Sequence, residues 1–383
     1  MNPEEAFVYA ENHGPSNYTR DIACQDVYSA YLYALNIDIG PLDKTREAVC
    51  KDSKYAYLYA LNIDKCPREN TREAACREPR FAHEYAKNVD NGFLDKTREA
   101  ACKDSYWAYE YAKNIDQKPR EDTRKAACSY AENAYLYALS VDKKPRNDTR
   151  KTACKSSEYA CYYALEIDKC PRDDTRNAAC EDPACAYWYA KDIDKCSRNE
   201  TRNTVLKSLK YAYKYILEID KCPRDDTRNI ACKYPKFAYE YAINIDKCPW
   251  DKTRKAVCKN PEYAYQYAKD VDKKPNEITR KAACENPKYA YLYAYEVDKC
   301  PREDTRKAAC KNPEWAFCYA KNVDLCPTDD TRNAVCRNPK YAYQYIKEID
   351  KGFHQNTLNT IKNTEYWKEY PKILNQLEKD KII

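Results

Sequence analysis

Apolar and polar residues follow a helical spacing in this chain, although one short stretch looks like a strand. The sequence YAYQYA (263–268) alternates large and small residues, as a half-buried β-strand does. At helical spacing the apolar and polar residues of the same segment separate onto opposite faces: Tyr263, Ala264, Tyr267, Ala268 and Val271 against Gln266, Lys269 and Asp270. Asn260 and Pro261 in front of it match an N-cap and N1 pair. The pattern predicts a helix of about twelve residues, which we call helix B.

A second, shorter helix is predicted by segments such as DDTRNAAC (173–180), and we call it helix A. Asp or Thr can supply its N-cap, and Ala-Ala-Cys gives it a small apolar face that fits the tyrosines of helix B. Gly replaces the residue before the loop proline at Gly40, Gly92 and Gly352, which indicates a helix C′ position there. The alternative is a leucine-rich-repeat-like unit with YAYxY as the strand, but it would want a Leu/Asn ladder that this sequence lacks.

The two helices recur with a period of 26 residues. Thirteen Thr-Arg pairs are spaced by 26 residues from Thr19 to Thr331 without an insertion. A period of this length predicts an all-α fold, a two-layer α-solenoid of about thirteen helix-turn-helix repeats with degenerate N- and C-terminal caps. The predicted domains are an N-terminal half-repeat cap (1–18), a single solenoid domain of tandem repeats (19–356), and a degenerate repeat with a C-terminal capping helix (357–383).

The segment NPEYAYQYAKDV (260–271) and its copies resemble the short tandem NPxYAYxYA repeat proteins of bacteriophages and large DNA viruses. The resemblance covers nearly the whole chain. It differs at the Thr-Arg pairs, where those repeats have Gly and acidic residues. The resemblance implies a helical repeat array of viral or phage ancestry, and it implies no reaction, because that family has no assigned function.

Composition and charge exclude several classes of function. The 383 residues include 39 Tyr but only 4 Gly and 3 His, and the net charge is +6. This balance is not that of a dedicated DNA-binding domain. The chain has no Gly-rich phosphate loop, nucleophile elbow or Cys/His zinc spacing, which predicts no enzyme activity, no metal, no cofactor and no small-molecule substrate. With no secretory leader and no membrane span, we predict a cytoplasmic protein with reduced thiols, in the host cytoplasm if the protein is viral.

Two polar rows accompany the repeat, and each has a structural and a functional interpretation. The middle tyrosine of each helix B either hydrogen-bonds at the seam between repeats or offers a stacking platform to bases. The recurring Arg and Asp either form partly buried bidentate pairs between repeats or leave the arginines free for phosphates. The predicted structural ladder includes Arg124, Asp142, Arg150, Asp168, Arg176 and Asp194.

The slots on the outer face of helix B vary, and the middle third of the chain carries the most apolar set. Leu139, Tyr162, Leu165 and Trp188 are therefore the candidate partner-binding residues. The predicted function is a non-enzymatic repeat scaffold that binds a protein partner along an extended solenoid face. The alternative is single-stranded nucleic-acid binding through the Tyr and Arg rows, and a virion or filament component is a third possibility.

Overall fold

The computed structural model describes residues 1–351 and 354–371. The chain forms two compact units, Met1–Val205 and Leu206–Ile383, and the described residues of both units fold into helices without any strand. The predicted all-α architecture of repeated helix pairs is confirmed, and the strand interpretation of YAYxY is wrong.

The described residues contain 28 α-helices, which divide equally between the two types. The A helices are Asn17–Ala23, Asp43–Val49, Glu69–Ala75, Asp95–Ala101, Glu121–Ala127, Asn147–Ala153, Asp173–Ala179, Asn199–Val205, Asp225–Ala231, Asp251–Val257, Glu277–Ala283, Glu303–Ala309, Asp329–Val335 and Gln355–Ile361. The B helices are Pro3–His13, Val27–Leu32, Ser53–Tyr59, Pro79–Asn88, Ser105–Tyr111, Ala131–Tyr137, Ser157–Tyr162, Pro183–Trp188, Leu209–Tyr215, Pro235–Tyr241, Pro261–Tyr267, Pro287–Leu292, Pro313–Tyr319 and Pro339–Tyr345.

Most B helices continue into a π-helical turn, in which each amide bonds the carbonyl five residues back. The amide of Lys143, for example, donates to the carbonyl of Ala138 at 2.9 Å. The π-helical turns are Tyr33–Ile37, Ala60–Asp64, Ala112–Asp116, Ala138–Asp142, Tyr163–Asp168, Tyr189–Asp194, Ile216–Asp220, Ala242–Asp246, Ala268–Asp272, Tyr293–Asp298, Ala320–Asp324 and Ile346–Asp350. Helix and turn together span twelve residues in Ala131–Asp142, which agrees with the predicted length. A single 3₁₀ turn, Glu365–Lys368, follows the last A helix.

The N-caps of most B helices follow the prediction, whereas among the A helices the predicted Asp or Thr cap is found at Thr328 and is absent from most others. Asn260 accepts the amides of Glu262 and Tyr263 with its side chain, and Pro261 is the first helical residue. In the A helix Asp173–Ala179 the N-cap is Arg172 in an extended conformation, without a side-chain cap bond. The prediction of Asp or Thr as the A-helix cap is therefore wrong at this position.

The turn after helix B also differs from the prediction. A left-handed residue follows the invariant Asp, and it is usually a lysine: Lys169, for example, has φ 55°. Gly40 and Gly92 lie one residue later and do not have positive φ, and Gly352 lies outside the described residues. The predicted C′ glycine was thus placed one residue too late, and a non-glycine residue adopts the strained conformation.

Within each unit the A helices and the B helices form two layers, and the core lies between them. In the first unit Tyr135, Ala138, Ala153, Tyr163 and Ile167 form one core cluster. The second unit repeats this cluster 130 residues later, or five periods of 26, as Tyr265, Ala268, Ala283, Tyr293 and Val297. Each cluster joins consecutive repeats, because small Ala side chains of one repeat receive the Tyr ring of the next.

Both ends carry degenerate repeats. The first helix begins at a capping box formed by Asn2 and Glu5, and its Ala10 packs against Ala23 and Tyr33. At the other end Tyr370 packs against the last A helix and the last B helix. The predicted C-terminal capping helix falls largely on residues 372–383, which lie outside the described residues. None of the helices described is long and apolar enough to cross a bilayer.

Candidate partner-binding site

The third tyrosine of each repeat fixes the start of the A helix in the same repeat. Tyr163 is fully buried, and its hydroxyl accepts the amide of Arg146 at 2.9 Å and donates to the carbonyl of Arg146 at 3.1 Å. The same hydroxyl lies 2.8 Å from Oγ1 of Thr149. The phenol therefore satisfies the amide and the carbonyl of the A-helix N-cap residue, while the side chain of Asp148 accepts the first-turn amide of Thr149 at 2.9 Å.

The arginine that follows this threonine pairs with the aspartate at the end of helix B. Arg150 donates from Nε to Asp168 at 2.9 Å and from Nη2 to Asp168 at 3.0 Å. Equivalent bidentate contacts join Arg124 to Asp142 and Arg176 to Asp194. The two members of each pair lie 18 residues apart in one repeat, so the predicted placement between repeats is wrong.

These arginines are buried as well as paired. The side chain of Arg150 is only 7% exposed, and its guanidinium lies 5.7 Å from the ring centroid of Tyr163. Hydrogen bonding to Asp194 raises the pKa of Arg176. Each guanidinium thus remains charged while its donors face a carboxylate inside the protein.

The middle tyrosine of helix B hydrogen-bonds at the seam between repeats, which is the structural role predicted for it from the sequence. The hydroxyl of Tyr135 donates to Glu166 in the next repeat at 2.7 Å, and that of Tyr239 donates to Asp270 at 2.7 Å. Burial and the bond to Asp270 raise the pKa of Tyr239 to about 12. The ring of Tyr135 is 8% exposed, which leaves no free face on which a base could stack.

Aromatic rings from consecutive repeats form what we call the aromatic ladder. In each rung the middle ring of one repeat contacts the first ring of the next repeat, at centroid distances of 4.3–6.4 Å. In the first unit the rungs include Tyr31–Tyr55, Tyr57–Phe81, His83–Trp107 and Tyr135–Tyr159. In the second unit they are Tyr213–Phe237, Tyr239–Tyr263, Tyr265–Tyr289, Tyr291–Trp315, Phe317–Tyr341 and Tyr343–Tyr366.

One rung of the first unit has lost both rings. Its two slots hold Cys161 and Cys185, and a cavity of about 650 Å³ opens where the rings would lie. At the rung of Tyr109 the partner slot holds Asn133, so one ring is missing there. Asn133 is buried with its amide on Ser105 at 2.7 Å, and the Lys113 ammonium lies 5.3 Å from the Tyr109 ring centroid. Where one ring is missing, polar side chains occupy the space that it would fill. Where both rings are missing, at Cys161 and Cys185, the space remains as a cavity.

Three of the four predicted partner-binding residues surround this cavity. Tyr162, Leu165 and Trp188 line it and are 40%, 47% and 47% exposed. Tyr162 is oriented by a hydrogen bond from its hydroxyl to Glu158 at 3.1 Å. Leu139 is 37% exposed but does not line the cavity. The structure therefore brings together a smaller set than the sequence predicted.

The floor of the cavity is a pair of contacting thiols. Sγ of Cys161 donates to the carbonyl of Cys185 at 3.5 Å. The hydrogen bond to the Cys185 thiol, together with burial, raises the pKa of Cys161 well above its usual range. Burial likewise raises the pKa of Cys154, at the end of an A helix, to about 11. The Cys161 thiol is therefore protonated at neutral pH and gives the floor of the cavity a neutral, polarisable surface.

The rim of the cavity is acidic. Glu158, Asp182 and Asp192 line it, and of the described residues in its lining none is basic. The nearby Lys191 lies with its ammonium 5.3 Å from the ring centroid of Trp188. The cavity thus combines an apolar floor and walls with carboxylates at its edge. No group of three or more metal-binding side chains occurs in the residues that the structure describes.

Sequence reasoning missed Cys161 and Cys185 as part of the site. The signal was present, because both slots hold cysteine in adjacent repeats although they hold rings almost everywhere else. The significance of the coincidence depends on knowing that the middle slot of one repeat touches the first slot of the next. That contact is a property of the packed structure.

No protein-family model, curated protein or solved structure matches the chain in the three comparisons made. The resemblance to phage and viral repeat proteins therefore stays a prediction.

Proposed function

We propose that the protein is a non-enzymatic helical scaffold that binds a protein partner at the surface around Tyr162, Leu165 and Trp188. One observation carries this proposal: exposed aromatic and aliphatic side chains surround the cavity at which a ladder rung has lost both rings. Exposed aromatic anchors beside an apolar recess are typical of binding hot spots. In most other repeats the ladder slots hold rings that pack against one another.

Capture from cell extracts tests the proposal with two matched variants. Trp188→Ala removes the central aromatic anchor, and Trp250→Ala removes a tryptophan of the same 47% exposure in the second unit. A protein partner should be retained by the wild type and by Trp250→Ala. Its affinity for Trp188→Ala should be lower by about tenfold or more, as expected for a hot-spot residue. Identical sets of retained proteins in all three samples would contradict the proposal.

We do not propose the nucleic-acid alternative, because the side chains from which it was predicted are engaged inside the protein. The arginines donate to aspartates, and the middle tyrosine rings are buried or half-buried. Anisotropy of labelled single-stranded DNA and RNA, at about 50 and about 200 mM salt, should show no salt-sensitive binding. Tight binding that weakens steeply with salt would reinstate that alternative.

We also propose a reducing compartment such as the cytoplasm. All 22 cysteines lie in the described part of the chain and carry free thiols, and such a content of unpaired cysteine is typical of intracellular proteins. Titration of thiols in protein purified without reductant should find all 22 reactive after denaturation.

A further inference from the structure

We propose that the cavity between Tyr162 and Trp188 receives an aromatic side chain from a partner's peptide segment, and that lysine or arginine residues flank this side chain. This inference rests on the proposed function and adds the chemistry of the partner to it. The partner's ring would occupy the rung that Cys161 and Cys185 leave empty.

The shape of the cavity favours a ring. Neighbouring repeats place two rings at this position, so the backbone spacing of the B helices already fits flat aromatic groups. The cavity is about 650 Å³ and open to the surface, so a single side chain can enter without unfolding either helix. An inserted ring would lie against the sulfur atoms of Cys161 and Cys185, and contacts between sulfur and aromatic rings are favourable.

The walls provide two further aromatic contacts. Tyr162 and Trp188 stand on the two successive B helices that border the cavity, and each is close to half exposed. A ring between them can make the offset or edge-to-face contacts that aromatic pairs prefer. An aliphatic side chain would bury apolar area but would gain neither these contacts nor the fit to the ladder.

The acidic rim of the cavity determines which residues of the partner can flank the inserted ring. Glu158, Asp182 and Asp192 edge the cavity, and the opposing charge near it is Lys191, which already lies at the ring of Trp188. A segment with acidic residues next to its aromatic side chain would bring like charges together at this rim. A segment with lysine or arginine there is complementary in charge, and this complementarity increases the association rate and excludes acidic competitors.

Selection from a displayed library of random peptides tests the proposal. The full chain is the target, and bound clones are then compared on a filled variant, Cys161→Tyr together with Cys185→Tyr, which restores the residues found in other repeats. A matched control is His83→Tyr, which restores the common residue at another rung and leaves the cavity unchanged. Circular dichroism and thermal unfolding establish that each variant is folded, and Trp188→Ala supplies a second site variant should the filled protein fail to fold.

The expected clones bind the wild type and the control equally and bind the filled variant at least about tenfold more weakly. They should share an aromatic residue flanked by lysine or arginine, and a synthetic peptide with such a sequence should lose affinity when both Asp182 and Asp192 are changed to Asn. Clones that require Trp188 but lack the aromatic residue or the basic flanks would overturn this inference and leave the proposed function standing. Selection that yields no clone dependent on Trp188 would overturn both.

Discussion

At the scale of single residues, the tyrosine hydroxyl is the group that ties the two helices of a repeat together. Tyr137 bonds both the amide and the carbonyl of Arg120, at 3.0 and 3.1 Å, and lies 2.9 Å from Oγ1 of Thr123. Phenylalanine would fill the same volume but could make none of these bonds. This explains why the third position is tyrosine in all thirteen repeats while the first position varies.

Tyr137→Phe should therefore destabilise the protein. The change leaves the amide of Arg120 without its partner and removes one of the two bonds of the Thr123 hydroxyl, which costs about 1–3 kcal/mol in the free energy of unfolding. Chemical denaturation followed by circular dichroism measures the effect. The control is Tyr130→Phe in the same repeat, whose side chain is 68% exposed and whose loss should change little. Equal effects of the two substitutions would show that the hydroxyl does not cap the A helix.

His83 is a second residue whose environment has a measurable consequence. It occupies a ladder slot against Trp107, and both of its ring nitrogens are buried without a hydrogen bond. Burial lowers its pKa from the ordinary 6.5; the carboxylates of Glu84 and Glu110 raise it by smaller amounts, and the nearby Lys87 ammonium lowers it further. The folded state therefore favours the neutral ring, and the unfolded chain takes up a proton first as the pH falls.

The wild type should lose stability relative to His83→Phe as the pH falls below about 6.5. Above that pH the ring is neutral in both states and contributes no pH dependence. Below it, only the unfolded state is protonated, and the difference grows by up to about 1.4 kcal/mol per pH unit until the folded-state pKa is reached. Unfolding of both proteins between about pH 7.5 and about pH 5.5 checks this, and a constant difference in free energy would contradict it.

At the scale of elements, helix B ends in a wide turn and a strained residue. The π-helical turn Tyr163–Asp168 is followed by Lys169 in the left-handed region at φ 55°. A non-glycine residue in this region carries a cost of roughly 1–2 kcal/mol. The turn brings Asp168 to the guanidinium of Arg150, and without it the buried guanidinium would lose its carboxylate partner.

Lys169→Gly should raise the free energy of unfolding by about 0.5–1 kcal/mol, since glycine relieves the strain but is more flexible in the unfolded chain. Lys151→Gly provides a comparison of opposite sign. Lys151 is exposed within the A helix Asn147–Ala153, where glycine should lower stability by about 1 kcal/mol. Thermal unfolding distinguishes the two outcomes, and destabilisation by both substitutions would argue against strain at Lys169.

At the scale of the whole molecule, repetition makes most contacts local. The core clusters join a repeat to the next one, and the Arg–Asp and Tyr–Thr contacts stay within a repeat. Repeat proteins of this kind have stabilities that are close to sums over units and neighbouring interfaces. A repeat can thus be removed without leaving an unmatched surface inside the array.

Deletion of residues 45–70 should leave a folded protein, because Lys44 is then joined to Thr71 at an equivalent position. The helical signal per residue should be unchanged, with only a small decrease in the midpoint of thermal unfolding. Deletion of residues 41–52 instead removes an A helix and leaves the following B helix, Ser53–Tyr59, without its partner. Far-ultraviolet circular dichroism compares them, and equal loss of helicity in the two deletions would contradict a modular array.

The helices and their period could be predicted from the sequence because they depend on local spacing and capping, and the pairing of arginine with aspartate because both residues recur in every repeat. The pair Asn260 and Pro261 forms an N-cap and a first helical residue and so starts a B helix. The helical pitch then places Tyr267 and Ala268 together on the buried face of that helix. Tertiary structure decided the rest. The π-helical turn, the left-handed Lys169 and the placement of Arg150 with Asp168 depend on contacts between residues distant in sequence.

The candidate site divides in the same way. The sequence by itself determined that Tyr162, Leu165 and Trp188 lie on the variable outer face of helix B, because helical spacing places them there. Only the packed structure decided that Cys161 touches Cys185 and that a cavity lies between their neighbours. The physical reason is that spacing within a helix is fixed by its pitch, whereas contact between two helices depends on how all of their side chains pack together.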